Sequence, residues 1–310
     1  MARLNRESYI AAMESQGRSV GAATAQIVVS ALSFGSISVL TVLTTGAGVP
    51  LLTIMAWRYV LGALLLSPTA RPATTRSISR RQAGQLLLIG GFGQALITYL
   101  SLYSLRYIPV GPLAFLFYTY PAWVAAIAAL RRTERLTLVR VIALVLALVG
   151  VTVMVGAPVE KLNPVGVGLA LTSALLYSIY LPALEYVQEG VPPMFATFLL
   201  ILGAAVTFVI AAALTRELFT PREASVWTNI VLLAVVSTVI AFSTLIKGLS
   251  VLGPVRTAII ATVEPFFTAI LGVLVLGNHL GAATIVGGVL IAAAILIIEW
   301  SSTRRSAVNA

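Results

Sequence analysis

Residues 121–155 read PAWVAAIAALRRTERLTLVRVIALVLALVGVTVMV, and residues 265–299 read PFFTAILGVLVLGNHLGAATIVGGVLIAAAILIIE. A shift of 144 lays Pro121 on Pro265, Leu136 on Leu280, Val141 on Ile285 and Gly150 on Ala294. Each copy reads as an apolar helix with a proline near its start, a short polar link and a second apolar helix. The links differ in charge: Arg131, Arg132, Arg135 and Arg140 in the first copy become Val275, Leu276, His279 and Thr284 in the second. Basic residues collect on the cytoplasmic side of a membrane and are depleted opposite, so two copies lying upside down relative to each other account for the loss.

Composition agrees with a membrane. Of the 310 residues, 59% are hydrophobic and 10% charged, and the mean hydropathy is +1.01; a soluble domain is about 25% charged. The net charge of +10 punctuates apolar stretches instead of forming one basic patch, which speaks against nucleic acid as a partner. With no cysteine there is neither a disulfide nor a thiolate metal site, and all ten acidic residues are glutamate. Residues 1–18 carry Arg3, Arg6, Glu7, Glu14 and Arg18 around no apolar core, so they do not read as a cleavable signal peptide.

Crossing the hydrocarbon as a helix takes about 20 apolar residues. Ten such stretches run over 20–43, 51–67, 82–105, 110–130, 136–155, 165–186, 194–214, 226–249, 255–276 and 280–300. Prolines fall at their boundaries except for Pro121, Pro182 and Pro265, which lie inside and read as kink points where half-helices tilt, or as static kinks. An N-terminus inside places thirteen arginines in the cytoplasm against Arg106, Lys161, Arg216 and Arg222 outside, which puts both termini in the cytoplasm. The repeat continues upstream, where Ser30 to Phe34 resembles Ser173 to Tyr177 and Pro50 falls on Pro193. The expected organisation is a cytoplasmic segment 1–18, a first repeat of five spans 19–157, a second, inverted repeat 163–301 and a cytoplasmic tail 302–310. An odd number of spans per repeat forces the inversion. Small residues at spacing four (Ala122/Ala126, Ala143/Ala147, Gly288/Ala292) read as bundle packing or a dimer face; ten spans with an internal pseudo-twofold suffice as a monomer.

These features resemble the drug/metabolite transporter superfamily, in its ten-span members made of two EamA-type repeats. The resemblance is carried by Arg58 in span two, by the Pro121 helix followed by Glu134-Arg135-Leu136-Thr137 and Gly150-Val151, and by Pro265, Gly277, Leu280 and Gly287/Gly288. Asn278 stands where the family pattern has the glutamate found here as Glu134. The resemblance implies an all-α integral membrane protein, with ten transmembrane helices in two inverted five-helix repeats around a central cavity. It further implies export of small metabolites across the bacterial cytoplasmic (inner) membrane. Within the superfamily the chain is most similar to bacterial amino-acid exporters, aromatic ones included; drugs or another metabolite class are the alternative cargo.

Ionisable groups deep in a bilayer are costly and face a cavity or a partner. Arg58 lies eight residues past Pro50, about 12 Å along a helix. It reads as an anchor for a substrate carboxylate or as a structural cation held by carbonyls or a fixed partner. Glu264 directly precedes Pro265, with Tyr120 as its counterpart in the first repeat; it reads as a ligand for a substrate ammonium, a carrier of a coupling proton, a partner of Arg58 or a buried structural carboxyl. Tyr99, Tyr103, Phe115, Tyr118, Trp123, Tyr177 and Tyr180 lie on spans three, four and six, which line the cavity in the resembling family. Those rings read as a wall for an aromatic or long apolar side chain, or as lipid contact and packing. His279 reads as a polar loop residue and not a metal ligand. No Gly-x-x-x-x-Gly-Lys loop is present for ATP, and no metal or cofactor is expected. An intramembrane enzyme, the alternative of a different class, would need a nucleophile with its base, a metal cluster or paired carboxylates. One loop histidine without cysteine or aspartate leaves little to build them from.

Overall fold

The computed structural model describes residues 6–70, 78–133, 137–155, 162–276 and 281–308; the links 134–136 and 277–280 compared above, Arg71, Arg76 and Lys161 lie outside them. All elements among the described residues are helical. Crossing 1 is α1 (Arg6–Phe34) followed by α2 (Ser36–Gly46), and crossing 2 is α3 (Leu51–Leu66). Crossing 3 joins α4 (Arg80–Leu88), a π-helical turn π1 (Ile89–Gln94) and α5 (Ala95–Ser104). Crossing 4 is α6 (Val110–Phe117) and α7 (Tyr120–Leu130), and crossing 5 is α8 (Leu138–Val155). The second half runs α9 (Pro164–Gln188), α10 (Pro193–Leu214), α11 (Ala224–Ala234), π2 (Val235–Ile240), α12 (Ala241–Ala261), α13 (Glu264–Leu276) and α14 (Ala282–Val308).

Among the described residues, seven helical rods have the length and hydropathy of a full crossing, and Leu138–Val153, Glu264–Val275 and Ala282–Ile298 are shorter apolar helices. The longest rod, Ala224–Ala261, turns at Gly253, whose φ of 74° suits a residue without Cβ, and Pro254 opens the next helix. Crossing 8 therefore ends there, and crossing 9 runs from Pro254 through α13, which makes ten. Ends are set locally as well: the Ser79 hydroxyl accepts from the Gln82 N–H, and the Asn163 side chain accepts from the Val165 N–H ahead of a helix that opens on Pro164.

Packing pairs the two halves. Crossing 2 lies on crossing 7, 5 on 10, 1 on 8 and 3 on 6. Exchanging each crossing for its counterpart five places on returns the same set of pairs, as a pseudo-twofold between inverted repeats requires. Small residues let these backbones touch where apolar burial alone gives no drive to associate. A Cβ added to Gly90 would lie 2.1 Å from the Leu200 carbonyl oxygen, and one on Gly203 2.2 Å from that of Leu87, so crossings 3 and 7 meet backbone to backbone at π1. Ala143 and Ala147 are fully buried between α8 and α14, which gives that spacing an internal packing role, whereas Ala126 and Ala292 are exposed.

Candidate functional site

The interruptions in crossings 1, 4 and 9 gather around one cavity. In crossing 4 the Thr119 hydroxyl donates to the Leu116 carbonyl at 2.7 Å, and in crossing 9 the Thr262 hydroxyl donates to the Ile259 carbonyl at 2.6 Å. This is one device repeated at a spacing of 143. Beyond each threonine comes a proline, Pro121 or Pro265, whose missing N–H leaves the carbonyl four residues earlier, of Phe117 or Ala261, without its usual donor. Both Phe117 and Ala261 line the cavity. Crossing 1 breaks at Gly35, where the Thr268 hydroxyl bridges the Gly35 carbonyl at 3.0 Å and the Glu264 carbonyl at 3.1 Å. A side chain at Gly35 would crowd that junction, its Cβ 3.2 Å from the Glu264 carbonyl oxygen.

Within this frame, about 120 Å³ admits the centre of a water molecule, in about 980 Å³ of space that includes the mouth. Glu264 is the one charged side chain on its wall among the described residues. Tyr118, Tyr120 and Tyr177 line the same cavity as the Glu264 carboxyl group. Tyr120 and Tyr177 meet edge to face at 4.8 Å, and Phe117 lies 5.4 Å and 5.5 Å from them, forming a continuous aromatic wall. The lining also holds Ser38, Thr98 and Ser101. Gln94, the last residue of π1, donates to the Thr98 hydroxyl at 2.8 Å, but its side-chain oxygen is buried without a partner. The hydroxyl of Tyr118, on the same lining as Glu264, is likewise buried without a hydrogen-bond partner. Two unsatisfied polar atoms and one carboxyl on a largely apolar wall are what a small amphipathic solute would meet.

Arg58 does not reach this cavity, and it is not paired with Glu264. It is 1% exposed, with Nε donating to the Thr238 hydroxyl at 2.7 Å and Nη2 to the Ser237 carbonyl at 2.8 Å, while its guanidinium lies 5.0 Å from the Tyr59 ring centroid. Ser237 and Thr238 belong to π2, where the widened turn presents acceptors to a planar fork. The cation thus braces crossing 2 against crossing 8. A further link runs from Ser237 to the Ser36 hydroxyl at 2.7 Å, which fixes the start of α2 beside the cavity.

The other sequence candidates divide. Tyr118 and Tyr177 are on the wall. Tyr180 stacks behind Tyr177 at 5.7 Å, and Phe115 packs into the neighbouring core; neither lines the cavity. Trp123 is 48% exposed and does not line the cavity. Tyr99 and Tyr103 line a separate cleft. Pro121 and Pro265 are in the first turns of α7 and α13 and open half-helices instead of kinking continuous ones, whereas Pro182 lies within α9. Phe117, Tyr120, Gln94 and Thr98 were missed. Tyr120 was visible as the repeat partner of Glu264, and Gln94 as a polar residue closing the glycine-rich run Gly90-Gly91-Phe92-Gly93.

Two five-helix halves that interlock about a pseudo-twofold and close on a cavity through interrupted helices define a multi-pass membrane transporter. The EamA-like transporter family matches residues 22–156 and 164–300, one match per repeat, and the chain belongs to that family. A solved chain described as the crystal structure of a protein superposes with a TM-score of 0.75 over 92% of this chain and 98% of its own. At 20% identity that likeness is one of fold. No curated protein matches the chain significantly.

Proposed function

We propose that this transporter exports small amphipathic solutes bearing an ammonium group, foremost amino acids with aromatic or apolar side chains, across the bacterial cytoplasmic membrane by alternating access. The repeats 19–157 and 163–301 are the moving halves, and both termini are cytoplasmic. The observation that carries the reading is a single carboxyl, Glu264, set in a wall of Phe117, Tyr118, Tyr120 and Tyr177. An ammonium group there gains a charge-assisted contact and the faces of the rings, and an apolar side chain gains the wall. Gln94 and Tyr118 supply the unsatisfied polar atoms that orient the head group. The space for water centres, about 120 Å³, is below the roughly 300–1,000 Å³ of ligand pockets, so loading requires the half-helices α2, α7 and α13 to shift. Such carriage involves no catalytic step, metal or cofactor.

The absence of a Lys or Arg from the described wall favours a second reading, an organic cation without a carboxylate. Liposomes containing the purified protein separate the two readings. Uptake of labelled L-phenylalanine, L-leucine and phenethylamine is measured without an ion gradient and again with an imposed pH step. Saturable L-phenylalanine uptake supports the amino-acid reading; uptake of phenethylamine alone supports the cation reading. If none enters under either condition, an ammonium-bearing cargo of this kind is refuted.

A further inference from the structure

At the end of the bundle where crossings 1, 3 and 7 finish, a cleft of about 650 Å³ lies between α2, α5 and the link after α10. Its walls hold a pair the central cavity lacks, a cation at Arg106 and a carboxylate at Glu217. On the same lining Tyr99 and Tyr103 stack at 5.2 Å, and Tyr107, outside it, meets Tyr103 edge-on at 6.0 Å. Arg106 lies over the Tyr103 ring at 5.2 Å and donates to its hydroxyl at 3.2 Å, which holds the guanidinium at the rim. Glu217 is held as well. Its carbonyl accepts from the Thr53 hydroxyl, its N–H donates to Ala212 at 2.8 Å, and two residues on the Phe219 carbonyl accepts from the Trp57 indole at 2.9 Å. On the α2 wall Thr41 is 2% exposed, and its hydroxyl oxygen is buried without a hydrogen-bond partner. Leu102 lines both this cleft and the central cavity and is 6% exposed, so one side chain's thickness separates the two spaces.

We infer that this cleft is a second solute-binding site, in series with the central cavity and closed from it by Leu102, that takes zwitterions with an aromatic or apolar side chain. Arg106 receives the carboxylate, Glu217 the ammonium, and Tyr99 and Tyr103 the side chain. The inference rests on the transport reading above and adds a station to its path. Charges at a wet rim interact in high dielectric, so this station binds more weakly than the buried one and favours passage over retention.

The chain has no cysteine, so introduced ones report without background. Thr45→Cys reports on the cleft and Ser38→Cys on the central cavity, and modification of each full-length variant by a small maleimide is timed with and without L-phenylalanine. A solute at about four times its Kd slows modification about fivefold through occupancy, as 1 + [L]/Kd. The expected result is protection of both cysteines, with Arg106→Gln removing it at Thr45→Cys and leaving it at Ser38→Cys, which also verifies that the variant is folded. Protection of Ser38→Cys alone, or protection of Thr45→Cys that survives Arg106→Gln, overturns the second site. Protection of neither overturns the amino-acid reading and this inference together.

Discussion

Glu264→Gln changes one atom of the side chain and leaves the junction between crossings 1 and 9 intact, because Thr268 bonds the backbone carbonyls of Glu264 and Gly35 and not the carboxyl group. The effect therefore isolates charge recognition. Among the described wall residues no second carboxylate can substitute. A hydrogen bond to a charged group contributes about 1.5–3 kcal/mol, and each 1.4 kcal/mol is tenfold, so the apparent affinity for an ammonium-bearing solute should fall about 10- to 150-fold. Ser38→Ala, which removes a neutral contact of about 0.5–1.5 kcal/mol, should cost no more than about tenfold. Concentration-dependent counterflow of labelled L-phenylalanine in liposomes reads both, with melting temperatures confirming that the variants are folded. A change of less than about threefold for Glu264→Gln would refute the assignment of the ammonium to this residue.

Gly90→Ala forces a methyl against the Leu200 backbone and should lower stability by about 1–3 kcal/mol, read as thermal unfolding by circular dichroism. Gly84→Ala on the same crossing, with nothing within 4 Å of its Cβ, should be neutral or stabilising by up to about 1 kcal/mol. Arg58→Lys replaces a fork that reaches Thr238 and Ser237 together by a point charge, and should cost about 1.5–3 kcal/mol of stability while leaving the KM of the folded fraction within about twofold. A KM that rises well beyond that at unchanged stability would return Arg58 to the substrate. Tyr177→Ala removes the 4.8 Å contact with Tyr120 and should raise KM for phenylalanine more than for alanine, the difference being about 0.5–1.5 kcal/mol. Equal effects on both amino acids would remove the ring from side-chain recognition.

The sequence was sufficient to find the membrane, the ten crossings and the repeat, since each depends on properties read along the chain. Apolar length sets a crossing, and prolines punctuate its ends. The break residues were legible for the same reason, since Pro121 and Pro265 fall on each other in the repeat. Their exact role was not. A proline in an apolar run reads as a kink until the threonine-closed turns at Thr119 and Thr262 place it in a first turn.

Which sides of the helices look inward was not available in one dimension. A membrane helix is apolar on the lipid side and on the packed side alike, so periodicity does not distinguish Tyr177 on the cavity wall from the exposed Trp123. Arg58 and Glu264 posed the same difficulty as a pair, because a buried charge announces that it needs a partner without naming it. The answer for Arg58 lay 180 residues away, in a π turn of crossing 8 that no residue type marks. By itself the sequence determined what must be buried in lipid and how many times the chain crosses. Only the tertiary structure decided which polar groups meet, because those meetings are made across the pseudo-twofold, between residues that folding alone brings together.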